Sequence, residues 1–75
     1  MIQQDNECRP VTLTSRECET LYWLKEGKTN WEISAILSIS ERTAKFHVAN
    51  VLDKLGASTR GHAVALAFAQ NLIRE

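Results

Sequence analysis

Thr29-Asn30-Trp31-Glu32-Ile33-Ser34-Ala35-Ile36-Leu37-Ser38-Ile39-Ser40-Glu41-Arg42-Thr43-Ala44-Lys45-Phe46-His47-Val48-Ala49-Asn50 is the stretch that decides the fold. Thr29 and Glu32 have the spacing of a capping box, in which a hydroxyl and a carboxylate satisfy two helix-end amides reciprocally. Ile33, Ile36 and Leu37 then give one apolar face at i, i+3, i+4. That helix is short, so packing rather than propensity must hold it. Ser38-Ile39 reads as a tight turn, with Ile39 filling the space between two helices. Ser40 is the next N-cap, and Glu41 in the first turn suits the helix dipole. A short helix, a tight turn and a longer helix in this order predict a helix-turn-helix, which places its second helix in the DNA major groove.

The same signals extend in both directions. Downstream, the second helix runs to 55 and Gly56 ends it. Its core stripe is Ala44, Val48, Val51, Leu52 and Leu55, about a third of the circumference. Upstream, Thr14-Ser15-Arg16-Glu17 is another capping box, opening a helix over 15–26 that Gly27 stops. A last helix is expected over 60–70. Its run Ala63-Val64-Ala65-Leu66-Ala67-Phe68-Ala69 is apolar all round. A helix without a polar face is buried on both sides, so one side is expected to meet another protein. The fold class is therefore all-α, four helices over about 15–26, 30–37, 41–55 and 60–70. Residues 1–12 are polar and aperiodic and read as a flexible arm or linker stub, leaving 13–75 as the domain.

Composition bounds the function. With 75 residues the chain is one domain with a modest core. No apolar run approaches the about twenty residues of a membrane span. The first residues lack a basic flank followed by an apolar stretch, so no secretory signal is read and the cytoplasm is the expected location. Formal net charge is zero, which argues mildly against nucleic acid. Positive charge leans towards the second half of the motif, where Arg42, Lys45, Lys54 and Arg60 face only Glu41 and Asp53 over residues 41–60. The slight lean predicts weak non-specific binding and a need for more than one copy on DNA. Cys8 and Cys18 are not a Cys-x-x-Cys pair and read as reduced thiols. A zinc site with His47 and His62 lacks ligand spacing. No glycine-rich loop and no nucleophile–base grouping is present, so an enzyme is the least favoured class and no cofactor is expected.

Opposite the core stripe of the third helix lie Arg42, Phe46, Ala49 and Asp53, flanked by Lys45 and Asn50. A large aromatic pointing away from a core needs a reason. One reason is groove contact, with Phe46 against a thymine methyl and Lys45 or Arg42 donating to guanine O6 and N7. The other is that Phe46 folds back over a neighbouring helix and Lys45 is merely solvated. The two capped helices in front favour the groove. Thr29, Asn30 and Trp31 begin the second helix, where free amides suit phosphate, although they also serve as a cap. Trp31 either packs across a sugar-phosphate strand or covers the core edge. Thr43 and Lys54 are candidate backbone contacts, and a solvated Lys54 is an equally good reading. His47 borders the core stripe. Asp53 would repel phosphate in the groove, so only the N-terminal half of the helix is expected to read bases.

Taken together, Leu13-Thr14-Ser15-Arg16-Glu17, Gly27-Lys28-Thr29, Glu32-Ile33, Ile39 to His47, Asn50 and Lys54-Leu55-Gly56-Ala57 resemble the DNA-binding domain of the LuxR family, the GerE-type helix-turn-helix. The resemblance spans about 11–73. Trp23, Trp31 and Lys45-Phe46-His47 look more like the quorum-sensing, acyl-homoserine-lactone-responsive branch than the response-regulator branch. It implies a four-helix domain binding promoter DNA as a homodimer through its last helix, here around Leu66, Ala69 and Ile73. By position it implies Lys45, Phe46 and Ala49 as base readers, and Thr29, Thr43 and Lys54 as phosphate contacts with Asn30 nearby. Ala49 replaces a long basic side chain found in some relatives. Quorum-sensing relatives carry a ligand-binding domain in front, so the chain is read either as part of a longer receptor or as a stand-alone regulator.

The leading expectation is a sequence-specific transcription regulator on double-stranded DNA, with RNA polymerase a further candidate partner. One rival is a protein-interaction module that pairs with full-length regulators through helix four. A second is a sigma-factor-like promoter module, for which a more basic reading helix is expected.

Overall fold

The computed structural model describes residues 12–73. The expected arm lies outside the described residues except for Thr12, as do Cys8 and the last two positions. Four helices follow in order: α1 Ser15–Lys25, α2 Asn30–Leu37, α3 Glu41–Leu55 and α4 Arg60–Ala69. No strand occurs among the described residues. The all-α, four-helix expectation holds, and each helix end falls within a residue of the sequence reading.

Each helix begins on a hydroxyl side chain that accepts a first-turn amide. Thr14 accepts from Glu17 N, Thr29 from Glu32 N, Ser40 from Thr43 N and Thr59 from His62 N. The first two are complete capping boxes, with Glu17 and Glu32 reaching back to the cap amides. Each helix also closes alike. Lys28, Ile39, Ala57 and Leu72 donate back to Trp23, Ser34, Leu52 and Ala67 carbonyls. The intervening left-handed positions are Gly27, Ser38, Gly56 and Asn71. Glycine is the cheap solution there. Ser38, at φ 59° and ψ 45°, makes the turn of the helix-turn-helix without it.

The core is built from Leu21 and Leu24 of α1, Ile33 of α2, Ala44, Val48, Val51 and Leu55 of α3, and Ala63 and Ala67 of α4. α3 runs through the middle and packs on all three other helices. Its predicted stripe is correct, with Leu52 half-buried at the edge. The predicted face of α2 needs correction. Ile33 is fully buried, but Ile36 is 43 % exposed and Ser34 is buried in its stead. At ~100° per residue the inward face is Ile33, Ser34 and Leu37, roughly 50° from the one the apolar residues alone suggest. Ser34 tolerates this because its hydroxyl donates to Trp31 O at 2.6 Å. Thr20, also fully buried, donates to Arg16 O at 2.9 Å. Both follow the rule that buried hydroxyls find partners.

α4 is less uniformly covered than its composition suggests. Ala63 and Ala67 are fully buried, while Ala65 and Ala69 are exposed. Val64, Leu66, Leu72 and Ile73 are partly buried against the core. Leu66 and Ile73 thus already belong in part to the monomer, and of the three residues expected to pair helices only Ala69 is fully outward.

Candidate nucleic-acid interface

The outward face of α3 is the one the sequence describes. Arg42, Lys45, Phe46, Ala49 and Asp53 are exposed, with Thr43, His47 and Asn50 half-buried along its borders. Phe46 is 62 % exposed. Its ring neighbours that of His47, tilted by 56° with centroids 6.0 Å apart. It does not fold back into the core. Burying an aromatic of this size removes considerable apolar area from water, so its exposure leaves an unfilled contact. Lys45 and Ala49 lie beside it, one turn apart, and Asp53 follows a turn later near the C-terminus.

The N-terminus of α3 orders its polar groups. Ser40 Oγ accepts from Thr43 N at 3.0 Å and donates to Thr43 Oγ1 at 2.9 Å. Because Thr43 Oγ1 accepts there, its own O–H is left to donate outward, which suits a phosphate oxygen.

The start of α2 forms the second part of the surface. Gly27, Lys28, Thr29, Asn30 and Trp31 line a shallow groove of about 510 Å³ with Glu41 and Arg60. The capping box occupies the Thr29 and Glu32 amides, at 2.8 and 3.1 Å. The Thr29 amide bond holds the Glu32 carboxyl below its ordinary pKa, with Lys28 adding a smaller attraction. A carboxylate therefore already serves this helix end, and the amides of Asn30 and Trp31 lie outside the box. Trp31 is 63 % exposed and does not cover the core edge, the alternative the sequence left open.

Two expected phosphate contacts have protein partners. Lys54 Nζ lies 2.8 Å from Glu17 Oε1 on α1. Asn30 Oδ1 accepts from Arg60 Nη2, and Arg60 Nη1 donates to Lys28 O at 3.0 Å. The structure thus brings Thr29 and Asn30 together at one groove and Lys45, Phe46, Ala49 and Arg42 on one helix face. Lys54 stands apart, at the far end of α3. Sequence reasoning missed Arg60 and Lys28. A signal existed for the first. A cation in the first turn of a helix opposes the dipole, so Arg60 directly after the Thr59 cap calls for compensating partners elsewhere.

Comparison with known proteins places this geometry. The model of a family described as bacterial regulatory proteins, luxR family, matches residues 11–67. The quorum sensing-dependent transcriptional regulator RpaR of Rhodopseudomonas palustris is 56 % identical over 62 residues, covering 83 % of this chain and 26 % of that protein. The transcriptional activator SolR of Ralstonia solanacearum is 57 % identical over 63 residues, covering 84 % of this chain and 27 % of that protein. The chain thus spans about a quarter of the length of these curated relatives. The solved structure of the transcription factor GerE superposes with a TM-score of 0.76 at 34 % identity, covering 83 % of this chain and 92 % of that one.

Proposed function

The chain belongs to the luxR family of bacterial regulatory proteins, and from that premise we propose that it reads promoter DNA in sequence-specific fashion as a homodimer. The family comprises DNA-binding transcription regulators, not enzymes. α3 enters the major groove with Lys45 and Arg42 donating to guanine edges and Phe46 and Ala49 touching thymine methyls. Thr29, Asn30, Thr43 and Lys54 hold the sugar-phosphate strands and set the register. The observation that carries this reading is the bare aromatic of Phe46 beside Lys45 on the helix following the turn.

Two copies pair through α4. Exposed Ala65 and Ala69 lie one turn apart, and small side chains let helix axes approach to about 8 Å. Ala69 is the centre of that surface, flanked by the outer parts of Leu66 and Ile73. Pairing sets two reading helices roughly 34 Å apart on one DNA face, so the site is an inverted repeat. One helix pair buries little area, so DNA supplies part of the assembly energy. By similarity to RpaR, the larger protein acts in quorum-dependent regulation in the cytoplasm, with RNA polymerase a further partner.

A second reading is kept by Ala49 and the zero net charge: a module that modulates full-length regulators by pairing through α4. Selection of bound duplexes from a randomised pool at moderate salt separates the two. An enriched inverted repeat supports the DNA reader. No enrichment from a folded protein supports the pairing module.

A further inference from the structure

Arg60 is the first residue of α4, yet its guanidinium serves the start of α2. Nη1 donates to the carbonyl of Lys28, and Nη2 donates to Asn30 Oδ1. Both bonds are partly buried, and both join segments about thirty positions apart. One planar fork therefore grips the backbone just before the helix and a side chain in its first turn. Lysine, a single point charge without that plane, cannot hold both in the same geometry.

The grip has a consequence for Asn30. A side-chain amide has an acceptor end and a donor end, and a free one presents either. With Oδ1 held by Arg60, the Nδ2 donors are the end Asn30 has left to offer. A phosphate oxygen only accepts, so this orientation is the productive one and a flipped amide repels. Lys28 and Arg60 put two cations at the groove against the Glu41 carboxylate on its other rim, and the capping box has already compensated Glu32.

We propose that Arg60 is a positioning residue for DNA-backbone binding, holding Asn30 with its donors outward and tying α4 to the start of α2. This rests on the reading of Asn30 as a phosphate contact.

The test is a double-mutant cycle. Duplex affinity and its salt dependence are measured for Arg60→Ala, Asn30→Ala, the double variant and Arg60→Lys, at temperatures where melting curves show each folded. The selected site and a random duplex are both used, with Lys45→Ala as reference. Arg60→Ala is expected to weaken both duplexes alike, by about three- to tenfold, and to flatten the salt slope by about one. Asn30→Ala should match it, the double variant should be no weaker than Arg60→Ala, and Arg60→Lys should not rescue. Unchanged affinity, additive losses in the double variant, or full rescue by lysine each overturn the positioning role. If these occur while Lys45→Ala still loses the selected site, the DNA reading stands without this inference. A wild-type protein that binds neither duplex takes down both.

Discussion

Lys54 Nζ lies 2.8 Å from Glu17 Oε1, the same oxygen that accepts from the Thr14 amide at 3.0 Å. One buried carboxylate, 5 % exposed, therefore closes the cap of α1 and anchors the last turn of α3. Both charges also sit where their helix dipoles favour them. Removing Lys54 leaves that carboxylate without its cation in a place water hardly reaches. Lys54→Ala should lower stability by about 1–3 kcal/mol, read from urea denaturation. A loss within 0.5 kcal/mol, the range about expected for an ordinary surface lysine, would speak against the anchor.

The same pair sets the response to acid. The Lys54 hydrogen bond, and then the Thr14 amide, hold the Glu17 carboxyl below its ordinary pKa. A depressed carboxylate contributes stability that is complete above its unfolded pKa, about 4.3. That stability is lost as pH falls through the lower folded value. Glu32 acts in the same direction through Thr29. Melting temperatures should therefore fall as pH drops from about 5 towards 3, and less steeply in Lys54→Met. Identical slopes in the two proteins would contradict the assignment to this pair.

Ile33 and Ile36 separate two accounts of α2. Ile33 is fully buried and Ile36 is 43 % exposed. Ile33→Ala should cost about 2–5 kcal/mol as a core cavity, whereas Ile36→Ala should stay near 0.5 kcal/mol or below. Equal losses would restore the apolar face that spacing alone suggests.

Ser38 holds the turn in a left-handed conformation. Ser38→Gly should raise stability by about 0.5–1 kcal/mol, because relief of side-chain crowding exceeds the entropy that glycine adds to the unfolded chain. Ser38→Val should lower it. A destabilised glycine variant would show that the serine side chain itself supports the turn.

These particulars mark what could be read from the chain and what could not. Helix limits were legible because hydroxyl caps and the stops at Gly27 and Gly56 are local chemistry, written within four residues of where they act. The outward face of α3 was legible because Arg42, Phe46 and Ala49 break the apolar period. The Lys54–Glu17 and Arg60–Asn30 pairs join residues 37 and 30 positions apart, and no periodicity encodes such distances. Ser34 was missed on α2 because a hydroxyl that bonds its own helix backbone can be buried like an apolar group. α4 looked evenly apolar because alanines carry no sign of which face they occupy. The exposure of Phe46 also needed coordinates, since the sequence allowed it to fold back.

The central claim is that the α3 face around Lys45 and Phe46 reads bases. Its most direct test compares wild type and Lys45→Ala on the duplex recovered by selection and on a scrambled one, at fixed salt. Exposed Lys45 should cost no folding stability when removed. The account predicts a loss of ~1–3 kcal/mol on the selected duplex, relaxed preference at one position, and much less change on the scrambled one. An equal loss on both duplexes would make Lys45 a phosphate contact and contradict the reading role.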